Sequence, residues 1–553
     1  MAGLVATPMV VLLAGALALL LLNRAAGPRN RSLLALLIIG GAFLVLLSLA
    51  RGLPVNGTIS RWRPFFGSDL AYYVDGLAFL FAALVALAGL ATIATCLGRS
   101  EDLEGSSYAA LLALLAAGLS FIFSANLITL CLSWVIFDLT FLWALAASDH
   151  SGSRMRSVPR ILNLNCLACL SLLAAALLLG QGDDSLSLRS SSISTPVFGL
   201  ILLAALVRAG LYPLHLWMPI GVQASLASRS LLHLVPASAG LYLLARLSAW
   251  PNGVVSLSKD GGLPYGQALI IASSLAFAIG ALLAWAEADL SKILSFIMMS
   301  QVGYAIASLA IAKPPTRVVI LWPSLNLVLC LGLLFLSQDR FEPGNSWPRA
   351  ASGLAIASLV GVPLTSGFVG RWHLYHSLLT GSHLAFLALS LLAEIFLFAA
   401  LLRMWSVVSI NPSPSELGYE RLSVVGAALL AAPILILGLH PPVLGRLIEV
   451  VPFPTLVGLL RSTTIARWVA FFLPPLGGYL LQRHRQRIFD PIEIFWLKLS
   501  TALRLEWLYS LLGQIVTGAA GTLEIVGRVS EGKGYLSWIA VMGLLVFLFL
   551  RGR

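Results

Sequence analysis

Long apolar runs separated by short polar connections recur along the whole chain. Each run holds roughly 17 to 25 residues, which lets one α-helix cross about 30 Å of hydrocarbon. Strands of a membrane β-barrel do not fit this pattern, because they alternate apolar and polar residues in short segments. The pattern therefore predicts an all-α polytopic membrane protein with about 16 transmembrane helices.

Polar interruptions concentrate at two places that also contain proline. The segment Leu206–Leu247 holds three arginines and two histidines together with Pro213 and Pro219. The segment "GVPLTSGFVGRWHLYHSLL" holds Pro363, followed by Arg371. Proline removes a backbone hydrogen bond that lipid cannot replace, so a broken helix must be buried in protein or line a wet cavity. Two such helices in corresponding halves of a chain predict a transporter built from two structural repeats.

These features divide the chain into six parts. They are N-terminal transmembrane helices (1–98), a first repeat (107–250) broken near 206–230, a second repeat (267–405) broken near 361–380, additional transmembrane helices (421–482), an amphipathic lateral helix (488–530) and a C-terminal transmembrane helix (534–551). The stretch 488–530 is too polar to span and too apolar for a free linker, which favours a helix along the membrane or its neighbours over a solvated loop. As one helix of about 40 residues it would reach roughly 60 Å, enough to strap spans together or contact a neighbouring subunit.

Composition agrees with a membrane location. Apolar residues make up 59% of the chain and charged residues only 10%, with a mean hydropathy of +0.93; soluble proteins carry about 25% charged residues. The net charge of +12 is spread over short loops and does not indicate nucleic-acid binding. Three basic clusters fall on one side when spans are counted from an outside N terminus, and the arginines of "RGLPVNGTISRWR" oppose that count. We expect a multi-pass protein of a bacterial inner membrane.

The sequence predicts no cofactor and no metal. Its five cysteines lie in or beside apolar runs, and the pair in "CLAC" has no second pair, so packing is the favoured role. No haem, flavin, iron–sulfur or nucleotide motif is present in the sequence. Any redox chemistry coupled to this chain is therefore expected in other subunits.

Four ordered motifs resemble those of the proton-antiporter-like membrane subunits. They are "YYVDGLAFLF" with "SANLITLCLSW", the segment "VRAGLYPLHLWMPIGVQASLASRSLLHLVPASAGLYLLAR", "AWAEADLSKILSFIMMSQVGYAIASLAI" and "GVPLTSGFVGR". This family includes the pumping subunits of respiratory complex I, Mrp antiporter subunits, membrane subunits of group 4 hydrogenases and the membrane partner of a two-component inorganic-carbon system. The resemblance covers at least Tyr72 to Trp405.

The resemblance implies a row of ionisable groups at mid-membrane depth, in which a fifth-helix Glu pairs with a seventh-helix Lys. Here the Lys position is Arg208, which holds its proton permanently, and the Glu position is Val135. Asp138 follows three residues later, nearly one turn along the same face. We expect Asp138 to be a relocated partner of Arg208; the alternative is that it neutralises another buried cation.

Other family positions are partly kept. His233 matches the eighth-helix His, and Lys292 keeps the basic residue of the tenth helix. Leu327 and Leu331 replace the ionisable pair of the eleventh helix, and Arg371 replaces the twelfth-helix Lys. The ion-path candidates are therefore Asp138, Arg208, His215, His233, Lys292, Arg371 and Glu394. His215 alone fits a helix-to-helix hydrogen bond at least as well.

The resemblance implies an ion-translocating, non-redox subunit of a larger membrane complex. A complex I-like NADH or ferredoxin:quinone oxidoreductase is the leading expectation, carrying protons or sodium. Because titratable groups are replaced at several positions, a non-conducting scaffold subunit is the first alternative. The second is the membrane partner of an inorganic-carbon uptake system, docked to a soluble zinc protein. Otherwise the expected partners are membrane subunits of a complex I-like, hydrogenase-like or Mrp-like assembly.

Overall fold

A computed structural model shows a chain made mainly of α-helices. It describes residues 2–23, 25–60, 69–98, 103–148, 158–179, 194–215, 217–218, 225–248, 265–312, 319–337, 347–381, 383–408, 420–448, 453–489, 491, 493–505, 507–511, 513–515, 518, 521 and 542. Two compact units are present, Met1–Pro491 and Ile492–Arg553.

The elements follow one another along the chain as helices with a single hairpin. They are α1 Ala2–Leu21, α2 Pro28–Leu49, β1 Val55–Ser60, β2 Leu70–Val74, α3 Gly76–Gly98, α4 Gly105–Phe123, α5 Leu127–Ala147, α6 Val158–Leu179, α7 Thr195–Ala209, α8 Leu226–Ser248, α9 Gly266–Ala286, α10 Leu290–Ile311, α11 Leu321–Ser337, α12 Trp347–Val360, α13 Ser366–Thr380, α14 Leu384–Val408, α15 Glu420–Leu439, α16 Pro442–Ile448, α17 Leu456–Arg461, α18 Ile465–Arg483, α19 Arg485–Phe489 and α20 Glu493–Leu503.

Ten helices of the described residues are long and apolar enough to cross a membrane. This confirms the predicted all-α polytopic membrane fold. The predicted C-terminal span 534–551 lies outside the described residues except for position 542, and the figure of about 16 spans stays a prediction. Helices α4, α8, α10 and α11 are almost wholly buried and form the middle of the first unit, whereas α2, α14 and α15 leave much of their surface exposed.

A short hairpin was missed by the sequence analysis. Strand β1 pairs antiparallel with β2, with Val55 opposite Val74, and Tyr72 bridges to Ser124 after α4. The sequence does not predict this hairpin, because a two-stranded pair this short leaves little periodic signal. The hairpin leads directly into α3, where Asp75 accepts a hydrogen bond from the backbone N–H of Ala78 at 2.9 Å.

Both predicted helix breaks contain a glycine in the left-handed conformation. Helix α7 ends at Ala209, and Gly210 (φ 77°) follows it. Helix α12 ends at Val360, and Gly361 (φ 83°) follows it. A proline lies two or three residues beyond each glycine, which is the usual order at a helix end. The breaks are thus glycine caps followed by proline; Pro219, at the far side of the first break, is outside the described residues.

The second unit does not begin as one continuous helix. Helix α20 covers Glu493–Leu503, Leu505 has a left-handed φ of 57°, and helix resumes at 507–511. On its N-terminal side, α19 of the first unit ends at Phe489 before Pro491, which disfavours a helical residue ahead of it. A single lateral helix starting at 488 is therefore wrong for the described part, and 522–530 lies outside it.

Candidate functional site

A buried ion pair lies at the first helix break. Arg208, in the last turn of α7, donates through Nη1 to Oδ1 of Asp138 on α5 at 2.8 Å, and the two side chains are 3% and 14% exposed. Asn165 on α6 donates through Nδ2 to the same carboxylate oxygen at 3.0 Å. The expected pairing of Asp138 with Arg208 is therefore present. Asn165 was not predicted, although an amide in an otherwise apolar membrane helix is itself a signal.

Helix packing places Arg208 with little freedom. A Cβ on Gly240 of α8 would overlap the backbone nitrogen of Ala209, so only glycine allows α8 to approach α7 this closely. The guanidinium carbon of Arg208 lies 3.9 Å from the ring centroid of Trp134 and 4.5 Å from that of Phe137. Aromatic faces stabilise a desolvated cation by about 2 kcal/mol or more. Trp134 is buried while the next residue, Val135, is 47% exposed, so the family's Glu position faces outward here.

Two hydrogen-bond donors of the Arg208 guanidinium have no partner among the described residues. They are its Nε and Nη2. A small cavity of about 10 Å³ adjoins it, lined by Phe141, Asn165, Arg208, Trp217 and Pro236. A cavity of this size with polar walls holds about one water molecule. The first centre can therefore exchange hydrogen bonds with a single buried water.

A second buried ion pair lies just beyond the second break. Arg371 on α13 pairs with Glu394 on α14, and their side chains are 2% and 4% exposed. Arg371 also donates through Nε to the Leu359 carbonyl at 2.9 Å, and Tyr375 donates its hydroxyl to Glu394. A Cβ on Gly361 would overlap Cδ of Arg371, so the left-handed glycine makes the space that the arginine occupies. Arg371 and Glu394 were separate candidates in the sequence, and in the structure they form one ion pair.

Hydroxyl and amide groups fix the geometry of the second break. Oδ1 of Asn326 on α11 accepts hydrogen bonds from Ser358 at 2.5 Å and from Ser366 at 3.0 Å. The backbone N–H of Gly367, in the first turn of α13, donates to the Ser358 hydroxyl at 3.2 Å. These contacts tie the end of α12 and the start of α13 to α11. They satisfy backbone and side-chain groups that the broken helix leaves open inside the bundle.

His233 is buried between two backbone carbonyls. Its Nδ1 lies 2.6 Å from the Arg229 carbonyl, and its Nε2 lies 2.5 Å from the Met218 carbonyl and 3.1 Å from the Ser295 hydroxyl. A neutral imidazole has one N–H and an imidazolium has two. Because a carbonyl only accepts, the charged form satisfies both neighbours, and the neutral form satisfies one at a time.

The remaining candidates lie apart from the two ion pairs. His215 contacts the Pro213 carbonyl at 3.2 Å and stacks on Tyr212, which fits a structural role. Lys292, at the start of α10, is 39% exposed and lies 3.8 Å from Asp289, so it belongs to no buried centre. Among the described residues, no group of three or more His, Cys, Asp or Glu side chains could hold a metal ion.

Residues 124–336 match the family described as "NADH:quinone oxidoreductase/Mrp antiporter, TM". Subunit A1 of the Na⁺/H⁺ antiporter of Staphylococcus aureus is 27% identical over 286 residues, which is 49% of this chain and 35% of that protein. The match thus spans about a third of the length of that curated relative.

Solved structures share the fold over nearly the whole chain. A chain of the Mrp complex from Dietzia sp. DQ12-45-1b superimposes with a TM-score of 0.81 at 21% identity, covering 99% of this chain and 62% of that one. A chain of the archaeal membrane-bound sulfane sulfur reductase gives 0.76 at 17%, covering 99% of both. A chain of Thermus thermophilus respiratory complex I gives 0.66 at 19%, covering 86% and 99%.

The chain shares the polytopic helical fold of these membrane subunits, and it carries a buried arginine–carboxylate pair at each of two helix breaks. The family match at residues 124–336 and the shared fold agree with the resemblance of the sequence motifs to proton-antiporter-like membrane subunits.

Proposed function

We propose that this chain moves protons across the membrane as one subunit of a multi-subunit complex. The observation that carries the proposal is the presence of a buried arginine–carboxylate pair at each helix break, Arg208 with Asp138 and Arg371 with Glu394. Intramembrane ionisable residues are costly, and they are typically retained for ion pathways. A broken helix supplies the irregular backbone that such a pathway needs.

The chemistry assigns the proton-carrying role to the carboxylates. Arginine effectively never releases its proton, so Arg208 and Arg371 act as fixed positive charges. Burial favours the neutral form of Asp138 and Glu394, and the neighbouring arginine favours the charged form. These opposed effects leave the carboxylates sensitive to a change of field from a neighbouring subunit. His233, between two carbonyls, is the proposed titratable group on α8.

The partners we propose are other membrane subunits in a bacterial inner membrane. The relatives are parts of an Na⁺/H⁺ antiporter, the Mrp complex, a sulfane sulfur reductase and respiratory complex I. Mass spectrometry of proteins that co-purify in mild detergent would identify the assembly. Quinone-site or iron–sulfur subunits would support the complex I-like form. A single soluble zinc-binding partner would replace it with the inorganic-carbon system.

Proton movement is tested with Asp138→Asn and Glu394→Gln in membrane vesicles that contain the assembled complex. We expect each variant to lower ion-driven acidification, read by a pH-sensitive dye, at least about tenfold, since a titratable group in the path contributes 10²–10⁴-fold to proton transfer. Glu104→Gln, at an exposed position, is the matched control. Native gels report assembly. Full activity in both variants with normal assembly contradicts the proposal.

A specific observation favours one alternative, the non-conducting scaffold. Leu327 and Leu331 of α11 are fully buried where the family carries ionisable groups, so apolar side chains occupy that part of the axis. A scaffold requires that Asp138→Asn and Glu394→Gln change assembly or stability and leave ion movement unchanged. The same vesicle experiment therefore separates the two functions.

A further inference from the structure

The C-terminal half of α13 makes a side-chain contact with α18 that the proposed ion path does not use. Arg467 of α18 lies 2.7 Å, through Nη2, from Nδ1 of His376 on α13. Its Nη1 donates to the Ser462 carbonyl at 2.9 Å. His376 follows Arg371 by five residues, about 7.5 Å along the helix. The contact therefore connects α18 to the helix that carries the second ion pair.

The chemistry of arginine fixes the protonation state of His376 in this contact. A guanidinium has five N–H donors and no acceptor. Nδ1 of His376 must therefore be the unprotonated nitrogen, and the ring proton must be on Nε2. A proton added to Nδ1 removes the acceptor and places a second cation against Arg467.

An aromatic ring joins the two groups. The Trp372 ring stacks on His376 with centroids 5.1 Å apart and planes 18° apart, and the guanidinium of Arg467 lies 4.9 Å from the same ring. The Trp372 indole N–H donates to the Thr463 hydroxyl at 3.0 Å, between α17 and α18. This packing places His376 and Arg467 against the same aromatic ring.

No negative charge among the described residues compensates this cluster. Arg467 is 7% exposed and has no carboxylate within ion-pair distance in the described part of the chain. Its guanidinium donates hydrogen bonds to the Ser462 carbonyl and to His376, and it lies over the face of Trp372. A second positive charge at His376 therefore meets uncompensated repulsion in a partly buried site.

We propose that His376, Trp372 and Arg467 form a proton-sensitive latch, here called the His376 latch, which holds α13 against α17 and α18 when His376 is neutral and opens when His376 is protonated. Its regulatory meaning rests on the proposed ion path, because α13 also carries Arg371. Acid on the His376 side would then loosen the helix that positions the second ion pair.

The ionisable groups that face His376 are few. Seven helices pack against α13, namely α10, α11, α12, α14, α15, α17 and α18. Among the described residues of these helices, Arg467 is the ionisable group hydrogen-bonded to His376, and on α13 itself His373 lies nearby, edge-on to Trp372 at 5.1 Å. The other charged side chains among the described residues of these helices are Lys292, Glu394, Arg349, Arg403, Arg421, Arg461 and Arg483. None of them is hydrogen-bonded or ion-paired to His376. Burial and the contact with Arg467 both disfavour a positive charge on His376.

The test is hydrogen exchange of the full chain in lipid nanodiscs, read by mass spectrometry on peptides that cover 366–380. Rates are corrected for the intrinsic effect of pH and compared at about pH 7.5 and about pH 5, on either side of the ordinary histidine pKa of about 6.5. We expect corrected exchange in the wild type to rise about tenfold at the lower pH, the size expected for loss of one hydrogen bond to a charged group.

Two variants separate titration of His376 from general acid loosening. His376→Gln keeps a neutral acceptor for Arg467 at either pH, so its exchange should stay slow. His376→Lys carries a permanent cation and should exchange fast at both. His383→Gln, at an exposed histidine, is the control and should behave as the wild type.

Two results would overturn the latch. One is an acid-induced rise in the corrected exchange rate of His376→Gln that equals the rise in the wild type. The other is slow exchange in a folded His376→Lys at about pH 7.5. The measurement needs no ion gradient. If the vesicle experiment fails while this exchange pattern holds, the latch stands and the ion path does not.

Discussion

The two ion pairs use the same chemistry beside two helix breaks, yet they differ in how deeply they are buried. Asp138 is partly exposed and shares one oxygen between Arg208 and Asn165. Arg371 and Glu394 are both almost fully buried. A small cavity adjoins the first pair, whereas a backbone carbonyl and a tyrosine hydroxyl contact the second. Each glycine–proline break lies beside a buried arginine. The neighbouring helices determine how easily the partner carboxylate can gain or lose a proton.

The difference also bears on function. At the first centre, two N–H groups of Arg208 without a partner among the described residues adjoin a cavity that has room for about one water molecule beside the arginine. At the second centre, the Leu359 carbonyl accepts from Arg371 and the Tyr375 hydroxyl donates to Glu394. Because Glu394 is the more deeply buried carboxylate, we expect its protonation to depend more on movement of α13 or α14 than protonation of Asp138 depends on movement of its own neighbours. The His376 latch would act on the centre that needs the movement.

Removal of one cation from each pair gives the largest expected effect. Arg371→Met leaves Glu394 buried without a counter-ion and should lower the free energy of unfolding by about 3–5 kcal/mol. Arg208→Met should cost less, about 1–3 kcal/mol, because Asp138 is 14% exposed and Glu394 only 4%, so the carboxylate left behind is less desolvated. Unfolding in mixed detergent micelles, followed by tryptophan fluorescence, measures both. Equal losses would remove the distinction between the two centres.

The role of Asn165 can be isolated from that of helix α6 as a whole. Asn165→Leu removes one donor to Asp138 and should lower the free energy of unfolding by about 1–2 kcal/mol, because the carboxylate loses a hydrogen bond. Asn163→Leu, two residues earlier at an exposed position, is the matched control and should change little. The same unfolding assay applies. A control that loses as much as Asn165→Leu would show that Asn165 does not position Asp138.

A third arginine–carboxylate pair, at the edge of a span, gives the smallest expected effect. Arg246 donates to both oxygens of Asp75, at 2.5 and 2.7 Å. Burial alone would raise the pKa of Asp75, but the hydrogen bonds and charge of Arg246 outweigh it and hold that pKa below its ordinary value. Asp75→Asn should cost about 1 kcal/mol at neutral pH.

The sign of the pH dependence at Asp75 follows from linkage. Its stabilisation is fully present above the unfolded-state pKa of about 3.9 and is lost as pH falls through the lower folded-state value. The difference in stability between wild type and Asp75→Asn should therefore shrink only below about pH 4. A difference that disappears already near pH 6 would mean that another group is responsible.

Much of the fold followed from the sequence because lipid imposes strict requirements. Apolar runs of helical length predicted the spans, and charges within those runs marked Asp138, Arg208, Arg371 and Glu394 as unusual. The pairing of Asp138 with Arg208 was predicted from an offset of one helical turn relative to the family pattern. These inferences depend on one helix and its spacing, which the sequence records directly.

What the sequence left open depends on packing between distant segments. Glu394 meets Arg371 because α14 returns beside α13, and periodicity does not specify which helices become neighbours. Lys292 kept its motif, but its place at the start of α10 leaves it exposed beside Asp289. Arg467 lies 91 residues from His376, and no local pattern connects them.

Arg371 fills the space that the missing side chain of Gly361 leaves, so the number of residues between the two positions cannot change. Those ten positions place the arginine over the glycine that precedes its helix. One residue inserted or deleted between them, within α13, would turn the arginine by about 100° and shift it by about 1.5 Å. The segment should therefore tolerate no change of length, because its length determines where the arginine lies relative to the turn.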